Sequence, residues 1–164
     1  MLIYDKKILV TYNTSKPSEN ALTFALTFAN ELKEKQEIVV LYVLPEVPYP
    51  LHLSLRKILK SEKTDELITF EQYMKDLSKQ MRLDSKKMLE KKVKEIESFD
   101  NVRFRTEVIY GDPAKEIINY SLSNQIDLII IGNTGLKGFS KIKSLGSVSR
   151  SVIENTKVPV LVIH

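Results

Sequence analysis

Strand-sized apolar runs alternate along this chain with longer segments whose apolar residues recur at helical spacing, and this order more than any motif limits the fold. Lys6 to Tyr12, Ile38 to Val43, Val102 to Tyr110, Ile126 to Ile131 and Val158 to Ile163 read as strands. Between the first two, Ala21, Leu22, Phe24, Ala25, Phe28, Ala29 and Leu32 form one helical face, with Ser15 or Ser18 to cap it and Pro17 in its first turn. Pro45, Pro48 and Pro50 then halt regular structure, which leads into an irregular segment around His52 to Thr64. From Asp65 to Phe99 the spacing of Leu67, Phe70, Met74, Leu77, Met81, Met88, Leu89, Val93 and Ile96 predicts one long helix, or two broken near Leu83-Asp84-Ser85. Shorter helices are expected after Gly111-Asp112-Pro113 and from about Ser147 to Asn155.

Strict alternation with apolar strands requires a parallel sheet covered by helices on both faces, because parallel neighbours need crossovers and those crossovers are right-handed. The expected fold is therefore α/β: a single-domain, doubly wound, five-stranded parallel sheet spanning residues 1–164. Val102 to Tyr110 alternates polar and apolar residues as an outer strand would. The methionines at helical spacing read as core rather than as a hydrophobic binding surface.

Composition removes several chemistries. The chain of 164 residues has no cysteine, which excludes disulfides, thiolate nucleophiles and cysteine zinc sites. His52 and His164 lie far apart with no partnering motif and read as surface residues. No apolar run approaches the roughly 20 residues that span a bilayer, and the N-terminus does not read as a secretory signal, so a cytoplasmic location is expected and no membrane partner. The 25 basic and 21 acidic residues balance to +4. Most of the basic residues are interspersed with acids, and no nucleic-acid motif accompanies them, so nucleic acid is not the expected partner.

One stretch is different. Ile129-Ile130-Ile131 runs into Gly132-Asn133-Thr134-Gly135, and a loop then leads to Gly146-Ser147-Val148-Ser149-Arg150. Lys137, Lys141, Lys143 and Arg150 fall here, and no Asp or Glu occurs from Gly132 through Ile153. A buried strand that ends in glycine and a Gly-Ser helix start let backbone N–H groups approach an anion, and local positive charge strengthens the hold on a polyphosphate. The plainer alternative is a solvated basic loop with glycines for turns. In doubly wound sheets ligands sit beyond the carboxyl ends of the strands, where the winding reverses. If the first and fourth strands are neighbours, Thr11-Tyr12-Asn13 and Gly132-Asn133-Thr134-Gly135 face each other across that crevice.

These residues resemble the universal stress protein family over almost the whole chain. The similarity rests on Lys7-Ile8-Leu9-Val10 with Ser15-x-Pro17-Ser18-Glu19-x-Ala21-Leu22, on Leu41-Tyr42-Val43, on Tyr110-Gly111-Asp112-Pro113, and on Gly146-Ser147-Val148-Ser149-x-x-Val152 with Pro159-Val160-Leu161-Val162. The family's nucleotide-binding members carry Gly, two residues, Gly, nine residues, then Gly and Ser or Thr. Carried over by position, the resemblance implies that Thr11, Tyr12, Asn13 and Val43 line a base and ribose. Ile131, Gly132 and Gly135 would lie under ribose and phosphates, and Gly146, Ser147 and Val148 would bind phosphate.

Two departures touch this implied site. Ten residues, Leu136 to Leu145, separate Gly135 from Gly146, one more than the family pattern, so the phosphate loop is expected to bulge or shift. Asn13-Thr14-Ser15 stands where the family usually has Asp-Gly-Ser, which replaces a carboxylate by an amide able to donate or accept. Weaker discrimination among purines is the expected result.

The resemblance implies a stress-response or regulatory protein that binds ATP, with any divalent metal carried by the phosphates, and whose nucleotide occupancy biases a homodimer. A nucleotide-free interaction module of the same fold is the alternative, and a slow ATP hydrolase a third. The loop lacks the Gly-Lys-Ser/Thr of a Walker pattern, and no carboxylate lies near to act as base, so no catalytic residue is expected. The apolar last strand, Val158 to Ile163, is expected to lie at a sheet edge and to pair with its copy.

Overall fold

The computed structural model describes residues 6–32, 34–46, 58–60, 67–96, 99–133 and 145–164. Five parallel strands form the main sheet: β1 (Lys6–Thr11), β2 (Gln36–Leu44), β5 (Val102–Tyr110), β6 (Leu128–Gly132) and β7 (Val160–Ile163). Their spatial order is β5-β2-β1-β6-β7, so the winding reverses between β1 and β6. Among the described residues the helices are α1 (Lys16–Glu31), α2 (Phe70–Lys94), α3 (Pro113–Ser123) and α4 (Ser147–Asn155). The expected doubly wound sheet is present, with its first and fourth strands adjacent.

The alternation of side chains along each strand divides the core into two layers. Ile8, Val10, Tyr12, Ile38, Val40 and Ile130 pack with Ala21, Leu22, Ala25 and Ala29 of α1 and Leu89 of α2. Leu9, Val39, Leu41, Ile129 and Ile131 pack on the other face with Ala114 and Ile117 of α3 and Val152 of α4. Met74 is buried and Met81 and Met88 pack against the first layer, as the core reading of the methionines expected.

Two expectations about the middle of the chain need correction. Ile58–Lys60 (β3) is not irregular but pairs antiparallel with Leu67–Thr69 (β4), and the long helix begins at Phe70 rather than at Asp65. Thr69 has extended backbone, and its hydroxyl accepts from the Gln72 N–H at 3.2 Å, which sets the helix start. Leu67, counted as part of the helical stripe, is 73% exposed in the short strand. There is no break at Leu83-Asp84-Ser85: Gln80 donates to Asp84 at 3.0 Å across one turn, and α2 runs through.

β7 is an edge of the sheet, and all four of its residues are only partly buried. The Pro159 carbonyl accepts from Ile129 N–H at 2.9 Å, so Pro159 turns its polar backbone toward β6. The N–H that proline lacks is therefore missing from the inner side of the strand and not from the outer rim. β5, the other edge, carries Arg103, Arg105 and Glu107, and α2 packs beside it, with Tyr110 donating its hydroxyl to the Ser78 carbonyl at 2.6 Å. No helix among the described residues is long and apolar enough to cross a membrane.

Candidate functional site

The carboxyl ends of β1 and β6 open between the first turns of α1 and α4. At the β1 end the chain turns sharply from Asn13 to Ser15. The Asn13 side-chain Oδ1 accepts from the Ser15 N–H at 3.2 Å and from the Ser15 hydroxyl at 2.6 Å. Ser15 in turn caps α1, its Oγ accepting from Ser18 N–H at 3.4 Å, and the Ser18 hydroxyl donates to the Ser15 carbonyl at 2.8 Å. Between them Thr14 sits at φ 64°, a left-handed conformation that a β-branched residue rarely takes. The turn is held by side chains on both sides of this strained residue.

Across the crevice β6 ends at Gly132. A Cβ on that residue would lie 2.8 Å from the Pro17 carbonyl carbon and 2.9 Å from Ser18 N, so the strand end and the first turn of α1 approach too closely for any side chain. The next residue, Asn133, ties three elements together. Its N–H donates to the Ile163 carbonyl at 2.8 Å, and its own carbonyl accepts from Gly146 N–H at 2.6 Å and from the Ser149 hydroxyl at 2.9 Å. Its amide Nδ2 lies 2.7 Å from His164 Nδ1, and the His164 carbonyl accepts from Asn20 of α1 at 3.0 Å. The start of α4 and the end of β7 are thereby anchored to one residue at the tip of β6.

α4 differs from the other three helices at its first turn. Ser15, Thr69 and Asp112 cap α1, α2 and α3 with side-chain oxygens, whereas Gly146 stands at the corresponding place in α4 and no side chain caps it. Ser147 and Arg150 are exposed, Val148 is half-buried, and Ser149 is 2% exposed. No side chain among the described residues accepts from the N–H groups at this end, and the helix dipole there favours an anion.

The residues singled out by sequence divide into three groups. Thr11, Val43, Ile131 and Val148 share the layer covered by α3 and α4; Thr11, Val43 and Val148 are half-buried there, while Ile131 is 4% exposed. Asn13, Gly132, Gly146 and Ser147 lie at the strand ends and the α4 start. The Tyr12 ring is not with them: it packs in the α1–α2 layer at 5% exposure, and its N–H donates to the Leu41 carbonyl at 2.8 Å. Even-numbered positions of β1 face that layer, so the Tyr12 side chain parts from Thr11 and Asn13 while its backbone stays between them. Burial, assisted by Glu19, raises the Tyr12 phenol above its ordinary value, against an opposing pull from Lys92. Gly135, Lys137, Lys141 and Lys143 lie outside the described residues, as does His52.

Asn133, Ser149 and His164 were not among the expected site residues. Ser149 has a signal in hindsight, since a serine two residues inside a Gly-Ser helix start can reach back to the preceding strand. Asn133 and His164 meet only through the β6–β7 pairing, which no local pattern reveals.

The comparison with known proteins decides the family. A model of the universal stress protein family matches residues 5–164. The chain belongs to the universal stress protein family. Universal stress protein MJ0531 of Methanocaldococcus jannaschii is 32% identical over 158 residues, covering 96% of this chain and 81% of that one. The solved structure of MJ0577, a universal stress protein of the same organism, matches with a TM-score of 0.74 at 25% identity and covers 98% of this chain and 96% of that one. A universal stress protein family member of Arabidopsis thaliana, solved with AMP bound, shares the fold at a TM-score of 0.55 and 18% identity, covering 96% of this chain and 90% of that one.

Proposed function

We propose that this universal stress protein is a regulatory switch that binds ATP in the crevice between β1 and β6. The observation that carries the reading is the uncapped start of α4, which the Asn133 carbonyl holds beside the tip of β6 through Gly146 and Ser149. The phosphates would meet the N–H groups of Ser147 and Val148 and the Ser147 hydroxyl, with Gly132 and Gly135 alongside. Thr11, Asn13 and Val43, on the adjoining strands, would line the nucleoside, and Ile131 would pack beneath it. The AMP found in the Arabidopsis relative supports a nucleotide as the ligand class. Any divalent metal would arrive with the phosphates.

Cradling of phosphates without a positioned base stabilises the ground state and the transition state alike, so turnover is expected well below the roughly 1 per second at the low end of enzyme rates. Occupancy would bias a homodimer through β7, whose apolar rim is the unpaired edge of the sheet.

Denaturing the purified protein and identifying any released nucleotide, followed by calorimetric titration of the emptied protein with ATP, tests the reading. Released nucleotide or saturable ATP binding that Gly146→Val weakens is the expected result. A protein that carries no nucleotide and binds none is an interaction module that keeps only the fold.

A further inference from the structure

We propose that Asn13 meets the sugar of the bound nucleotide as a hydrogen-bond donor, and that the site therefore takes nucleotides with an additional phosphate on a ribose 2′ or 3′ hydroxyl. The proposal rests on the nucleotide reading above and names the ligand class more narrowly.

The orientation of the Asn13 amide follows from its partners. The Ser15 backbone N–H can only donate, so the atom 3.2 Å from it is the oxygen. The Ser15 hydroxyl donates to the same oxygen at 2.6 Å while accepting from Ser18 N–H, so its own proton is directed at Asn13. Both acceptor positions of the amide are thereby engaged within the turn. Nδ2 makes no hydrogen bond to any described residue, and the residue is half-buried at the mouth of the crevice. An amide that in principle donates or accepts is held here as a donor alone.

The position of that donor follows from strand order. β1 lies between β6 and β2, and Asn13 follows the end of β1 as Asn133 follows the end of β6. Adjacent strands are about 4.8 Å apart. A phosphate at the α4 start, over the tip of β6, therefore places the next unit of the ligand, the sugar, over β1 and Asn13. The base then falls over β2 and Val43.

Charge decides what that sugar can carry. A carboxylate beside a ribose accepts from its hydroxyls and repels a phosphate attached to them, and dinucleotide sites that admit such a phosphate offer a cation instead. Asn13 is neutral and donates. Glu19, the nearest acid along α1, is turned to Lys92 at 3.1 Å, and Lys16 stands exposed three residues from Asn13. The turn at this point presents a fixed N–H donor.

AMP and adenosine 3′,5′-bisphosphate differ only by the 3′-phosphate, so the ratio of their affinities reads this one contact. Calorimetric titration of the wild-type protein is expected to show the bisphosphate bound at least as tightly as AMP. Asn13→Asp keeps the oxygen that Ser15 needs and replaces only the donor, and it is expected to shift the ratio toward AMP by about tenfold or more, on the order of one misplaced charged hydrogen bond. A wild-type preference for AMP, or a ratio unchanged by Asn13→Asp, overturns the proposal and leaves the nucleotide reading intact. Binding of neither compound, with ATP also failing to bind, overturns both.

Discussion

Gly132 touches Pro17 where a side chain would have to be: a Cβ added there would stand 2.8 Å from the Pro17 carbonyl carbon. The neighbours are backbone and a proline ring, which cannot swing aside. The glycine that reads as a phosphate contact is thus required first by the packing of α1 on β6. Gly132→Ala is expected to destabilise the nucleotide-free protein by about 1–3 kcal/mol, the usual cost of forcing extra volume into a packed interior. Urea denaturation of the two proteins without ligand measures it, and equal midpoints would return Gly132 to a purely ligand-directed role.

Thr14 is strained in the opposite sense, by a side chain that a glycine would relieve. The left-handed conformation costs an ordinary residue about 1–2 kcal/mol, and glycine returns about 0.5–1 kcal/mol of that through its freer unfolded chain. Thr14→Gly should therefore stabilise the protein by about 0.5–1 kcal/mol. A higher denaturation midpoint is the expected result, and a lower one would mean that the threonine side chain contributes more than its backbone costs.

Alkaline pH should weaken the fold through its tyrosines. Burial raises the phenols of Tyr12, Tyr110 and Tyr120 above their ordinary value near 10, although nearby Lys92, Arg82 and Arg105 respectively pull them down. Above pH 10 the unfolded chain releases protons that the folded protein retains, so the stability present below that pH declines as pH rises through the raised values. Thermal melts between pH 9 and 11 should show this decline, and Tyr12→Phe should make it shallower. A melting temperature independent of pH across that window would contradict the burial of these rings.

The rim of β7 supplies a test of self-association that spares the sheet. Pro159 and Ile163 give their carbonyls to β6, so Val160 and Val162, one residue out of step, direct their N–H groups outward. Val162→Pro removes one outward donor and no bond to β6, which edge strands tolerate. Sedimentation should find a dimer for the wild type at tens of micromolar, on the order of concentrations where stable interfaces persist, and a folded monomer for the variant. A monomeric wild type would end the dimer proposal.

The fold was legible because its signals were local and repeated: apolar strand runs, the Ser15 cap with Pro17 after it, and the Gly111-Asp112-Pro113 turn. The hairpin before α2 was not, because Leu67 falls in helical step with Phe70 and Met74 while its side chain is exposed. Periodicity alone does not distinguish a helical stripe from a strand that happens to keep its spacing. At the site, the glycines and the Gly-Ser helix start were visible as residues, but their reasons were not. The demand on Gly132 comes from Pro17, more than a hundred residues away, and the fixed amide of Asn13 depends on which atom Ser15 chooses. The Tyr12 ring stands apart from its neighbours for a simpler reason, since adjacent residues of a strand point to opposite layers.

The 2.6 Å bond from Gly146 to the Asn133 carbonyl works as a clasp on the segment between them. The two ends are fastened to each other, so the spacing of strand tip and helix start is set by this bond. Closing a loop one residue longer than the family's usual spacing costs less than about 0.1 kcal/mol of chain entropy at this size. The start of α4 is thus tied to the tip of β6 by a bond that lies wholly within the described residues, while the expected shift of the phosphate loop falls on residues 134–144, outside them.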